Sequence, residues 1–270
     1  MAKIADLATI SIAQGLRSRS KGEERALDHP AAMHEYVFNQ TVPDFHWEMT
    51  DIYLDARRSA RKEQVNGMLL FLAPRDHAKT TVFAETVPLW EIGKDNTTLA
   101  QVISSVDSLA KKRVKRVANC IQFNIRYINL FGNLCPGTDQ SYTWSPSGEA
   151  IEVKRDRSLV WASEGGDERD PTLAAFGILG SVEGGRATYQ CYDDIVNLRN
   201  SRSDMPRLQV REKFWMSFDP MLLPWGVAVV IGTRYHYEDL YSELIPILDS
   251  ESRYTELYPP VIEEGQLLHA

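Results

Sequence analysis

Leu69-Leu70-Phe71-Leu72-Ala73-Pro74-Arg75-Asp76-His77-Ala78-Lys79-Thr80-Thr81 joins an apolar run, a polar turn and the start of a helical stretch, in that order. The apolar run reads as a buried strand, and the residues after Thr81 can continue as a helix. This is the order of a phosphate-binding loop, G-x-x-x-x-G-K-[ST], with Ala73 and Ala78 where the glycines usually stand. Each part has a chemical task. Backbone N–H groups of Ala73, Pro74, Arg75, Asp76, His77, Ala78, Lys79, Thr80 and Thr81 (Pro74 excepted) would surround the phosphates, and the helix dipole favours the anion. Lys79 would reach the β- and γ-phosphates as a mobile point charge, and the Thr80 hydroxyl would hold Mg²⁺. The missing glycines keep a second reading open, a strand–turn–helix with a surface lysine, because Ala tolerates φ > 0 poorly.

Two later segments bear on that choice. Ala187-Thr188-Tyr189-Gln190-Cys191-Tyr192-Asp193-Asp194-Ile195-Val196 is a β-prone stretch ending in paired carboxylates. A nucleotide hydrolase needs one acid in the magnesium shell and another to orient or deprotonate water. Adjacent acids at a strand's carboxyl end can supply both, because successive side chains diverge there; an ordinary acidic turn is the plainer alternative. Trp225-Gly226-Val227-Ala228-Val229-Val230-Ile231-Gly232-Thr233-Arg234-Tyr235-His236-Tyr237-Glu238-Asp239-Leu240 reads as a strand buried on both faces, broken at Gly232 and resumed as a helix. Thr233 and Arg234 would emerge at its carboxyl end, where open α/β sheets place ligands.

Taken together, A-P-R-D-H-A-K-T-T, Y-D-D-I-V and V-V-I-G-T-R-Y-H-Y-E-D-L resemble the ATPase domain of the large terminase subunit of tailed bacteriophages, the motor that packages DNA into an empty capsid. The resemblance spans roughly residues 40 to 260. Its most specific parts are G-T-R-Y-H-Y-E-D-L, close to the family's coupling segment, and Arg75 four residues before Lys79. Residues 173–186, L-A-A-F-G-I-L-G-S-V-E-G-G-R, resemble the glycine-rich approach to the family's Walker B strand.

The resemblance implies roles. Lys79 and Thr80 would bind phosphate and Mg²⁺, Asp193 would be the magnesium acid, and Asp194 would occupy the place of the catalytic carboxylate, usually Glu. Arg75 would reach the γ-phosphate from within the same subunit, a contribution worth roughly 10³–10⁵ in rate. Thr233 and Arg234 would couple γ-phosphate state to movement. Arg186 is open between a sensor, a finger into a neighbouring subunit and an ion pair. For the adenine, Val42-Pro43-Asp44-Phe45-His46-Trp47 stands where the family often carries an aromatic–His or Gln element. Phe45 or Trp47 would stack and His46 would hydrogen-bond; a packed aromatic cluster is the equal alternative.

Composition fits a globular α/β chain. Its 270 residues can bury one large core, and 25% charged with 43% hydrophobic residues is ordinary. Cys120, Cys135 and Cys191 are too few and odd in number for a disulfide framework, which points to a reducing compartment. No export signal or membrane-length apolar run is visible. The net charge of −7 argues against a free-standing DNA-binding surface. Contact with double-stranded DNA would have to be local or depend on assembly. The local candidate is Lys111-Lys112-Arg113-Val114-Lys115-Arg116, for which a solvated helix face is preferred. Arg57, Arg58, Arg61 and Lys62 form a second basic cluster.

The expected fold is a P-loop NTPase of the RecA-like kind: a mostly parallel sheet flanked by helices, with an antiparallel edge addition near residues 143–161. Strands are expected near 67–73, 99–104, 187–193 and 226–232. Helices are expected near 45–63, 79–92, 108–131, 206–218 and 237–248. Residues 1–40 read as a helical lead-in or lid, 41–258 as the ATPase domain, and 259–270 as the start of a linker. Residues 163–171 read as a loop. Too little chain follows Leu257-Tyr258-Pro259-Pro260 for the nuclease domain that large terminases carry, so no DNA cleavage is expected.

The expected function is ATP hydrolysis with Mg²⁺, powering translocation of double-stranded DNA. The resemblance implies a homo-oligomeric ring, a portal protein and a small terminase subunit as partners, and the cytoplasm of an infected bacterium, at the procapsid portal, as the location. Two alternatives stay open: a nucleotide-binding assembly or regulatory module without turnover, and another P-loop DNA translocase.

Overall fold

A computed structural model describes residues 19–74, 77–95, 97–135, 148–153, 170–180, 182, 185–250, 255–257, 262–263 and 266–267. One sheet contains β1 (Gly67–Leu72), β2 (Ala100–Ser104), β3 (Ala150–Ile151), β4 (Leu173–Gly177), β5 (Ala187–Asp193), β6 (Leu222–Gly232) and β7 (Thr255–Leu257). The strand order is β3-β4-β2-β5-β6-β1-β7. Every neighbouring pair is parallel except β3 with β4, which forms the antiparallel edge. A separate hairpin pairs β8 (Ile262–Glu263) with β9 (Gln266–Leu267).

The helices are α1 (Lys21–Asp28), α2 (Pro30–Phe38), α3 (Asp44–Glu63), α4 (Val87–Lys94), α5 (Asp107–Phe123), α6 (Ile125–Phe131), α7 (Asp204–Lys213) and α8 (Leu240–Ser250). Local chemistry sets several of their ends. Ser20 and Glu23 form a reciprocal capping box at α1. Pro30 opens α2, and Asn39 in the left-handed conformation closes it.

The period of two along the strands explains why helices cover both faces. Leu69 and Phe71, with Val227, Val229 and Ile231, pack on one side with α1 to α6. Met68, Leu70 and Leu72, with Ala228 and Val230, pack on the other with α7 and α8. A strand apolar on both faces must be covered on both, at about 1.5–3 kcal/mol of stabilisation per buried large side chain. The result is a helix–sheet–helix sandwich.

The structure differs from expectation in several places. The helix expected over 108–131 breaks at Asn124, whose side chain accepts the backbone N–H groups of Arg126 and Tyr127 and starts α6 afresh. The restart changes the phase: Val114, Val117 and Ile121 are buried, but Ile125 is exposed and Tyr127 and Leu130 take the core positions. Residues 173–177, expected as a glycine-rich approach, form β4 and pair with β2. Helices are observed from Lys21, and Ala26, Met33 and Val37 belong to the same core as Met49, Tyr53 and Trp90. Finally, the helix expected over 79–92 contains a π-helical turn at Thr81–Thr86, and α7 runs into a second one at Phe214–Phe218.

Gln190 sits at the centre of β5 and is fully buried. Its amide donates to Gln101 Oε1 (3.0 Å) and the Phe218 carbonyl (2.8 Å), and its oxygen accepts from Tyr192 Oη (3.0 Å). Saturating the amide in this way is what lets a polar residue occupy a buried strand. Cys120, Cys135 and Cys191 are free thiols. Among the described residues no helix is long and apolar enough to cross a membrane. The residues expected as a linker from 259 are described only in the β8–β9 hairpin, and most of residues 143–161 and 163–171 lie outside the described residues.

Candidate functional site

The parallel register brings four strand ends to one edge of the sheet: Leu72 lies opposite Gly232, Ile231 opposite Asp193, and Asp193 opposite Ser104. Because β6 lies between β1 and β5, the loop after β1 and the acids after β5 face each other across an intervening strand. Such carboxyl edges are where α/β sheets place ligands.

The loop from β1 closes on itself. Lys79 is buried, and its Nζ donates to the carbonyls of Ala73 and Pro74, both at 2.7 Å. Ala73 O also accepts from Thr233 Oγ1 (3.2 Å), and Ala73 N–H donates to Gly232 O (3.2 Å). One carbonyl therefore receives both the loop lysine and the threonine that follows β6. Ala78 has φ 49°, the left-handed conformation that glycine takes without strain. Arg75 and Asp76 lie outside the described residues.

Thr80 and Asp193 meet directly: Thr80 Oγ1 donates to Asp193 Oδ1 at 2.6 Å. Burial pushes the Asp193 carboxyl up to about 6. The Thr80 hydrogen bond and the Arg113 guanidinium oppose that rise, while the nearby charges of Asp194 and Glu85 add to it. Asp194 leaves the strand with φ 47°, its N–H donating to Ile231 O (3.0 Å). Beside them Ser104 is fully buried, and its Oγ has no hydrogen-bond partner.

The loop after β6 is organised by Asp239. Its carboxylate accepts from the backbone N–H groups of Tyr235 (3.3 Å), His236 (3.4 Å) and Ser242 (3.3 Å). Arg234 is exposed and donates to Ser242 Oγ (2.6 Å) at the start of α8. Thr233 thus faces the loop after β1, whereas Arg234 turns towards α8.

A cavity of about 260 Å³ opens beside the loop, bounded by Gln40, Thr41, Val42, Pro43 and His46 on one side and Ala78, Thr81, Val82 and Thr86 on the other. The π-helical turn forms that second wall. Tyr189 Oη donates to the Phe83 carbonyl within the turn (2.6 Å), and the Phe83 ring stacks on Phe71 at 4.9 Å. Such turns are frequent at functional sites. His46 contacts the His77 carbonyl through Nε2 (2.8 Å), and burial lowers its pKa below the ordinary histidine value. Phe45 packs against His46 and His77, with ring centroids at 4.1 and 6.0 Å, and Trp47 stacks on His29 at 4.5 Å. Of the three residues expected around a base, His46 alone lines this cavity.

Other expected residues are placed elsewhere. Arg186 immediately precedes β5, at the amino end of the strand whose carboxyl end carries Asp193. Asp193 is the last residue of this seven-residue strand, roughly 20 Å along it from Arg186. In the basic run on α5, Lys111 pairs with Asp107 and Glu149, and Arg113 and Arg116 both pair with Glu85. In the second cluster, Glu91 accepts from Tyr53 Oη and Arg57, and Arg61 lies 3.6 Å from Asp95. Most of both clusters is therefore neutralised within the fold.

Sequence reasoning missed His34, Gln40, Thr50 and Thr86 around the cavity, and Arg113 and Glu85 beside Asp193. His34 bridges Thr86 (2.8 Å) and Gln40 (3.4 Å). No motif spacing signals these residues; they converge only because α2 and α5 pack against the π-helical turn. Among the described residues no group of three or more His, Cys, Asp or Glu side chains could hold a metal alone.

No protein-family model matches this chain, and no curated protein matches it at a significant level.

Proposed function

We propose that this chain is an ATP-hydrolysing motor domain of the kind found in the large terminase subunit of tailed bacteriophages, acting on a Mg²⁺–nucleotide complex at the carboxyl edge of the sheet. The observation that carries the reading is the contact between Thr80 and Asp193. A hydroxyl at a helix start and a carboxylate at a strand end, 113 positions apart, meet at 2.6 Å with a lysine one residue away. The placement of β6 between β1 and β5 supports the same reading.

The residues fit a magnesium ion that takes most of its ligands from phosphate and water. Mg²⁺ usually keeps several waters and accepts one or two protein oxygens, which Thr80 and Asp193 supply. When bound, the ion neutralises charge on the phosphates. Lys79, parked on the Ala73 and Pro74 carbonyls, would exchange them for phosphate oxygens. That exchange releases Ala73 O, to which Thr233 also donates, and so transmits phosphate occupancy to the loop after β6. Asp194, next along the chain from Asp193, would orient or deprotonate water. The cavity beside Ala78 would take the base, with His46 fixing the loop through the His77 carbonyl.

Translocation of double-stranded DNA, assembly as a ring, and contact with a portal protein and a small subunit belong to this proposal through the resemblance alone. Because the basic runs are largely paired internally, DNA contact in this reading arises from the assembled motor. A nucleotide-binding module without turnover is the second reading; it is favoured by an aspartate, one methylene shorter than glutamate, at position 194.

Phosphate release from ATP with Mg²⁺ tests the proposal, comparing the wild type with Lys79→Ala and Asp194→Asn at several protein concentrations. Turnover abolished in both variants supports the hydrolase and assigns Asp194. Nucleotide binding without phosphate release under all conditions selects the module.

A further inference from the structure

Arg113 belongs to a basic run that reads as a solvated helix face, yet its guanidinium reaches the phosphate site. Its Nε lies 3.6 Å from Asp193 Oδ2, beyond hydrogen-bond length, and that nitrogen is buried with no hydrogen-bond partner. Its Nη1 lies 3.2 Å from Glu85 Oε1, the same oxygen that Arg116 Nη1 approaches at 2.9 Å. Glu85 stands on the π-helical turn that begins directly after Thr80. The side chains of Asp193 and Glu85 are 6% and 14% exposed, so neither charge is well screened by water. One face of Asp193 is engaged by Thr80 and the other faces a cation shared with a second carboxylate.

We propose that Arg113 is a tethered cation that stands against Asp193 in competition with the divalent metal, and that Glu85, held by Arg116, is the carboxylate to which it withdraws when metal and nucleotide bind. The inference rests on the reading of Thr80 and Asp193 as a Mg²⁺–nucleotide site. A guanidinium a few ångströms from the metal position opposes a second cation there, and a carboxylate that draws it aside relieves the opposition. Arg113 and Glu85 are thus positioning residues with opposite effects on the same equilibrium. The exchange would move the side chain of Arg113 on α5 and so carry the loaded state of the site into a helix outside it.

The test is the Mg²⁺ concentration giving half-maximal binding of a fluorescent ATP analogue to the full chain, measured for the wild type, Arg113→Gln and Glu85→Gln. The expected result is a shift of about tenfold to lower Mg²⁺ for Arg113→Gln and about tenfold to higher Mg²⁺ for Glu85→Gln. Loss of packing alone would shift both variants to higher Mg²⁺. Shifts of the same sign, or none, with ordinary Mg²⁺-dependent binding by the wild type, overturn this inference and leave the site reading standing. No nucleotide binding by the wild type at any Mg²⁺ concentration overturns both. If Arg113→Gln does not fold, Arg113→Met, which keeps the aliphatic stem without the charge, decides by the same sign: a shift to lower Mg²⁺ supports the inference, and a shift to higher Mg²⁺ or none overturns it.

Discussion

Lys79 and Thr233 donate to the same acceptor, the Ala73 carbonyl, at 2.7 and 3.2 Å. The residue expected to grip phosphate and the residue expected to sense it are therefore joined through one carbonyl.

Ala78 holds φ 49° with its side chain exposed. A non-glycine residue pays about 1–2 kcal/mol for that conformation, partly offset by the greater unfolded freedom of glycine. Ala78→Gly is expected to raise stability by about 0.5–1 kcal/mol in urea unfolding while retaining nucleotide binding. A loss of stability would contradict the strain.

Gly232 ends β6 against Tyr241, and a Cβ there would lie 2.1 Å from Tyr241 Oη. Gly232→Ala must displace a fully buried ring, an overpacking cost of about 1–3 kcal/mol. Adding Tyr241→Leu to the same chain is expected to recover part of the loss. Thermal unfolding of the single and double variants checks this, and strict additivity would refute the contact.

Gln190→Leu removes the partner of the Phe218 carbonyl, the Gln101 side chain and Tyr192 Oη. Buried groups left without partners cost about 1–3 kcal/mol each, so a total of roughly 2–5 kcal/mol is expected in urea unfolding. A neutral outcome would mean that the network contributes little.

Burial lifts the Asp193 carboxyl from 3.8 to about 6. Between those values the folded chain keeps a proton that the unfolded chain has released. Stability from this group is therefore greatest at low pH and falls as pH rises through the window, by up to about 3 kcal/mol. Asp193→Asn removes that slope. The stability of the variant relative to wild type should rise from about pH 4 to about pH 7 in urea unfolding. His29, His34 and His46, each lowered by burial, are retained in both chains and largely cancel in this difference. A constant difference would contradict the shift.

Much of the sheet was legible in the sequence because its strands are apolar on both faces and end in informative residues. Gly67–Leu72 and Ala187–Asp193 are recovered almost to the residue. β4 was hidden because Leu173-Ala174-Ala175-Phe176-Gly177 lies beside several glycines and its partner β2 is far away in sequence. The break at Asn124 was hidden because apolar residues continue to Ile125 and Ile128, although the Asn124 side chain caps a new helix just before them. At the candidate site, Lys79 and Thr80 stood out by the order strand, turn, Lys-Thr, and Asp193 by its place at the end of a β-prone stretch. Arg113 and Glu85 were not, because a charge run on a helix has the same pattern whether its side chains face water or a buried acid.

The central claim is that Thr80 and Asp193 form a metal–phosphate site with Lys79. Isothermal titration of ATP into the wild-type chain with and without Mg²⁺, repeated for Lys79→Ala and Thr80→Val, tests it most directly. The account predicts binding that strengthens with Mg²⁺, weakens at least about tenfold in Lys79→Ala, and loses its Mg²⁺ dependence in Thr80→Val, tenfold corresponding to about 1.4 kcal/mol. No binding by the wild type, or binding indifferent to Mg²⁺ and to both substitutions, would contradict it.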